Sequence, residues 1–137
     1  MQILLIGRES LDKEHLNQVL TAAGHEMTFI QDLAPGLEHH LNQTYDLILL
    51  DAIPPSLAGI SIARRLRTAH VSLPILMFSS QDRAEDRILG LNSGADDYLT
   101  LPVHTCELLF RVRSLTRRAQ STAPESCPPV PPDPTAL

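Results

Sequence analysis

The chain has 137 residues and a formal net charge of −5 at neutral pH. That length fits one domain and is enough for a hydrophobic core without metal or disulfide staples. The acidic balance argues against a free-standing nucleic-acid binder, and two distant cysteines, Cys106 and Cys127, suit a reducing compartment and exclude a zinc knuckle or a disulfide scaffold.

Gln2–Ile6 (QILLI) is a short continuous apolar run, the pattern of a strand buried on both faces. Ser10 is placed to cap a helix, in which Leu16, Val19, Leu20 and Ala23 recur at helical spacing until Gly24 ends it. Met27–Ile30 reads as a second strand and Ala34–Leu41 as a weak helix. Asp46–Asp51 is the strongest strand in the chain. After Pro54, Pro55 and Gly59, the segment Ile60–Ala69 has helical spacing. Pro74–Phe78 is a fourth strand, Arg83–Ser93 a helix stopped by Gly94, and Tyr98–Thr100 a fifth strand. Thr105–Arg118 closes the body as an amphipathic helix with Leu108, Leu109, Val112 and Leu115 on one face.

Strands alternating with helices predict a (βα)5 fold: a doubly wound, five-stranded parallel sheet with helices on both faces. The body spans residues 1–119, and residues 120–137 form a proline-rich linker or tail. Pro124–Leu137 holds six of the eleven prolines, which deny it helix and central strand. No three-glycine phosphate loop follows the first strand. The longest uncharged stretch, Thr68–Gln81, is too short and polar to span a bilayer. No basic region precedes the first apolar run, so a cytoplasmic chain with no membrane contact is expected.

Ligand sites in such folds lie outside the carboxyl ends of the strands. Those ends carry Gly7, Arg8 and Glu9 after the first strand, Asp51 on the third, Ser79 and Ser80 on the fourth, and Tyr98 to Pro102 on the fifth. An aspartate closing an apolar strand is costly unless it is used or solvated. His39–His40 lacks a partner at ligand spacing, and Cys106 reads as an inert small residue.

Five motifs in order now matter: YDLILLD at Tyr45–Asp51, the turn Pro54–Gly59, PILMFSSQD at Pro74–Asp82, DRILGLNSGADDYLTLPV at Asp86–Val103, and ELLFRVRSLTRR at Glu107–Arg118. Together they resemble the receiver domain of bacterial two-component response regulators, closest to the OmpR/PhoB type, a flavodoxin-like fold. The resemblance implies a phospho-switch. Its phosphoacceptor position is Asp51, its hydroxyl position Ser79 and its switch aromatic, which swings inward, Tyr98. The family's metal-holding acid pair falls on Gly7 and Arg8, and its lysine falls on Leu101, before a Leu101–Pro102 bond that the resemblance makes a candidate cis peptide.

These departures point to an atypical receiver with no metal, no cofactor and no enzymatic activity. Two unit charges in contact are worth roughly 4 kcal/mol at an effective dielectric of about 20, so Arg8 is expected to pair with Asp51 in place of the ion. The alternative has Arg8 in solvent beside a merely degenerate site. The resemblance also implies a homodimer through a face made of Arg87, Ile88, Leu91, Asp97, Glu107, Leu109 and Arg111. There Arg87 is expected to meet Glu107, and Asp97 to meet Arg111, of the other copy. The expected role is control of transcription through a C-terminal DNA-binding output domain, with DNA bound only through that domain. Two alternatives stand beside it: a genuine phosphoacceptor served by a histidine kinase, and a stand-alone interaction module.

Overall fold

The computed structural model describes residues 1–7, 13–52, 58–80, 83–102 and 104–120. Five strands, β1 (Gln2–Ile6), β2 (Glu26–Ile30), β3 (Leu47–Asp51), β4 (Ile75–Ser79) and β5 (Asp97–Thr100), form one parallel sheet in the order β2-β1-β3-β4-β5. The helices are α1 (Lys13–Ala22), α2 (Leu41–Thr44), α3 (Ala58–Thr68), α4 (Ala84–Ser93) and α5 (Thr105–Gln120). The architecture is the expected flavodoxin-like α/β fold, with strand ends shifted by a residue or two. The expected helix over Ala34–Leu41 is a correction: the segment is a 3-10 turn at Leu37–His40, followed by the four-residue α2. Pro35 and Gly36, the latter at φ +88°, delay the start. The expected Ser10 cap and the proline-rich segment beyond Gln120 lie outside the described residues.

The apolar runs explain themselves in the sheet. On one face Leu4, Ile6, Ile48, Leu50, Ile75 and Met77 pack under Leu41, Ala63 and Leu66. On the other, Ile3, Leu5, Leu49, Leu76 and Phe78 pack under Leu16 and Leu20 of α1 and Leu108, Val112 and Leu115 of α5. A central parallel strand needs apolar side chains at every position because both faces are covered.

Two arginines of α3 tie the loops to this core. Arg67 donates from Nε to Gly94 O at 3.0 Å and from Nη1 to Val71 O at 2.6 Å and Leu73 O at 2.8 Å. Its Nη2 donates to Asp96 at 2.7 Å, and the same carboxylate oxygen accepts from the Ile75 amide at 2.8 Å. Arg65 donates to Leu33 O, Ala34 O and the Glu38 carboxylate. The bond from Arg65 holds the Glu38 carboxyl below its ordinary range.

Helix α4 sits on the sheet through small residues. Gly90 and Ser93 are its buried positions. A Cβ at Gly90 would lie 2.8 Å from Tyr98 Cδ2 and 3.1 Å from Met77 Sδ, so only glycine lets the helix approach this closely. In consequence its large apolar side chains stay outside: Ile88 is 57% exposed and Leu91 41%.

Candidate functional site

The strand order reverses between β1 and β3: β1 leads to β2 on one side and pairs with β3 on the other. This is the switch point where a doubly wound sheet opens a crevice. Ile6 is level with Leu50, so the next residues, Gly7 and Asp51, meet side by side at the mouth. The Gly7 amide donates to Ile30 O at 3.0 Å, which fixes its backbone. Asp51 is 7% exposed and is the last residue of an otherwise apolar strand. A Cβ built on Gly7 would overlap the Asp51 Cβ and lie 3.2 Å from its Oδ2. On the other flank a Cβ at Gly59 of α3 would lie 2.6 Å from the Ala52 Cβ and 3.2 Å from Asp51 O. Asp51 is therefore held between two glycines that allow the backbone to close around it.

Ser79 is buried at the end of β4, level with Thr100. Its carbonyl accepts from the Leu101 amide at 2.8 Å, and the Leu101–Pro102 bond is cis. Tyr98 is buried, and its ring points into the face under α4. Thus Asp51, Gly7, Ser79 and Leu101 come to the carboxyl edge of the sheet together. Arg8 and Glu9, and with them the expected Arg8–Asp51 pair, lie outside the described residues.

A receiver fold implies a divalent ion beside the acceptor aspartate, and the described residues do not fit one. Position 7 has no side chain and no room for one, and position 101 is leucine. Magnesium needs several hard oxygen ligands near octahedral geometry. Among the described residues no three His, Cys, Asp or Glu gather in a way that would hold a metal.

Within the single chain the charged face pairs internally. Arg111 and Asp97 pair within the chain at 3.2 Å, and Arg111 lies 3.8 Å from Glu107 one helical turn away. Arg87 turns inward: it donates to Tyr98 O at 3.1 Å and to Thr100 Oγ1 at 3.3 Å, with its guanidinium 5.2 Å from the Tyr98 ring centre. Ile88 and Leu91 are exposed. Leu109 is the exception to the expected grouping. It faces Val19 and Ala22 of α1 and packs on the inner cluster, because residues 108, 109 and 112 follow the helix's buried side. Arg67 is the structural residue that the periodicity does not reveal, since its partners are carbonyls of distant loops.

The chain matches the model of the response regulator receiver domain over residues 3–113. It is 43% identical over 130 residues to the transcriptional regulatory protein CusR of Escherichia coli (strain K12), covering 92% of this chain and 56% of that protein. It is 40% identical over 121 residues to the transcriptional activator protein IrlR of Burkholderia pseudomallei (strain 1026b), covering 88% and 52%. The chain thus spans about half the length of these curated relatives. The receiver domain of the Francisella response regulator 1452 superposes with a TM-score of 0.74 at 31% identity, over 86% of this chain and 98% of that one. No described helix is long and apolar enough to cross a membrane. A parallel sheet in the order β2-β1-β3-β4-β5, with an aspartate buried at its switch point, and these likenesses place the chain in the response regulator receiver domain family.

Proposed function

We propose that this chain is the receiver module of a cytoplasmic transcriptional response regulator that signals without the metal-dependent phosphorylation cycle. The observation that carries the reading is the closure of Gly7 on Asp51. The place of a metal-holding carboxylate is filled by the acceptor's own Cβ. Leu101, where the family has a lysine, offers no charge to a phosphoryl oxygen. Asp51 then serves as a buried polar anchor of the switch point.

The switch aromatic supports the same reading. Tyr98 lies inward against Gly90, with Arg87 bonded over its outer side. These contacts from α4 hold the ring on the inner face. The output is a homodimer through α4, β5 and α5, with Ile88 and Leu91 as the apolar contacts. Arg87, Asp97, Glu107 and Arg111 form its charged border. The proline-rich segment is then a linker to a C-terminal DNA-binding domain, in keeping with relatives named as transcriptional regulators and about twice as long.

Sedimentation of the purified chain, with and without Mg²⁺ plus beryllofluoride, tests this. The expected result is the same dimer content in both. Dimerisation only with the acyl-phosphate mimic overturns the reading in favour of a working phosphoacceptor at Asp51. A monomer throughout removes the dimer output and leaves an interaction module.

A further inference from the structure

Helix α4 meets the sheet through few side chains. Gly90 and Ser93 are its buried positions, while Ile88, Leu89 and Leu91 stay exposed. Apolar burial therefore holds this helix weakly, and polar contacts take a larger share of its seating. Two arginines supply them. At the carboxyl end, Arg67 of α3 donates from Nε to Gly94 O at 3.0 Å. Toward the amino end, Arg87 of α4 itself reaches β5. It donates from Nη1 to Tyr98 O at 3.1 Å and from Nη2 to Thr100 Oγ1 at 3.3 Å.

Arg87 differs from the other tied arginines in its partners. Arg65, Arg67, Arg83 and Arg111 each meet a carboxylate of the chain. Among the described residues Arg87 meets only neutral acceptors and the face of the Tyr98 ring, whose centre lies 5.2 Å from its guanidinium. The adjacent acid, Asp97, is already engaged. Its Oδ2 pairs with Arg111, and its Oδ1 accepts from the Tyr98 amide at 2.8 Å. Helix α5 thus holds β5 through Asp97, and α4 holds it through Tyr98 and Thr100. Gly90 lies against the Cδ2–Cε2 edge of the Tyr98 ring, so one helix both abuts the ring and covers its face.

We propose that Arg87 is a strap: one guanidinium seats the amino half of α4 and fixes the Tyr98 ring, so that helix and ring move as a unit. The inference rests on the reading of Tyr98 as the switch aromatic and names the residue that sets its position. A guanidinium suits the task because its planar fork reaches two acceptors while its face stacks on a ring, which a single ammonium does not do. Without it the ring keeps Gly90 and Met77 as neighbours but loses its cover, and α4 keeps only its small buried residues and the bond from Arg67. Release of the strap loosens both elements together.

The chain has two tyrosines, Tyr45 and Tyr98, so 3-fluorotyrosine labelling of the whole chain gives one fluorine signal for the ring in question and one internal reference. Arg87→Met keeps the aliphatic stem and removes the guanidinium. It should move the Tyr98 signal toward its unfolded position, leave the Tyr45 signal in place, and speed amide exchange in α4 about tenfold while α1 stays unchanged. Arg87→Lys should fall between the two. Thr100→Val, which removes only the hydroxyl acceptor, should move Tyr98 the same way by less. An unmoved Tyr98 signal in Arg87→Met overturns the proposal. So does equal displacement of Tyr45 with faster exchange in α1, which marks a general loss of stability. The measurement is made without a phosphoryl mimic, at a dilution where sedimentation shows a monomer. The strap therefore fails separately from the dimer and from the phosphorylation-independent reading.

Discussion

Gly7 and Asp51 are lateral neighbours at the ends of β1 and β3, and the volume a side chain would take at Gly7 is occupied by the Asp51 Cβ. Rebuilding the family's carboxylate with Gly7→Asp should therefore not create a metal site. It should cost about 1–3 kcal/mol through overpacking at a position with no slack. Urea unfolding measures the loss, and a Mg²⁺ titration of the variant should show no stabilisation. A variant stabilised by Mg²⁺ would mean that the β1–β3 mouth can open.

Gly90 and Tyr98 make a similar contact on the other side of the sheet. Gly90→Ala puts a methyl group into the Tyr98 ring and should lower stability by about 1–2 kcal/mol. The Tyr98 ring resonances should move toward those of an exposed tyrosine. Unmoved resonances with full stability would show that α4 lifts instead.

Arg67 gathers three carbonyls and the Asp96 carboxylate. Arg67→Ala strands these acceptors and should cost roughly 2–3 kcal/mol, since removing one partner leaves part-buried groups unsatisfied. Arg67→Lys should recover little of it, because one ammonium cannot reach all four acceptors. Chemical denaturation of the pair of variants checks both statements.

Arg111→Glu breaks the pair with Asp97 and sets like charges together. As a surface pair it should change monomer stability by less than about 1 kcal/mol. The proposed dimer should weaken far more, because a two-fold face repeats each reversal. Sedimentation and thermal melting on one preparation separate the two effects.

The pKa of His25 is lowered by its burial and then by the N-terminal amine and Arg113. The folded chain thus binds its proton less readily than the unfolded chain. The neutral form's stability is complete above the ordinary histidine value of about 6.5 and declines as pH falls from there toward the lower folded value. Glu38 acts in the same direction at lower pH: Arg65 depresses its pKa, and that contribution is lost as pH falls through the folded value. His25→Gln should flatten the first decline and leave the second, as read from melting curves at a series of pH values.

Periodicity and residue type by themselves determined much of this protein. Runs such as QILLI and LILLD dictate central strands because a parallel strand is covered on both faces, and the glycines and prolines between them punctuate the alternation that defines the fold class. The position of Asp51 at a strand end, and the uncharged residues at positions 7 and 101, were equally legible, because chain order alone places strand ends at one edge of such a sheet. The 3-10 turn at Leu37–His40 was not legible, since short helices are decided by the loops around them. Nor were the partners of Arg87 and Arg111, or the orientation of Leu109 toward α1. Long side chains choose among several neighbours, and the choice depends on helix rotation by a fraction of a turn. Only the tertiary structure brings the Asp51 Cβ into the space beside Gly7, seats Gly90 on Tyr98 and leaves a groove between α1 and α5, because each arises from the distance between elements remote in sequence.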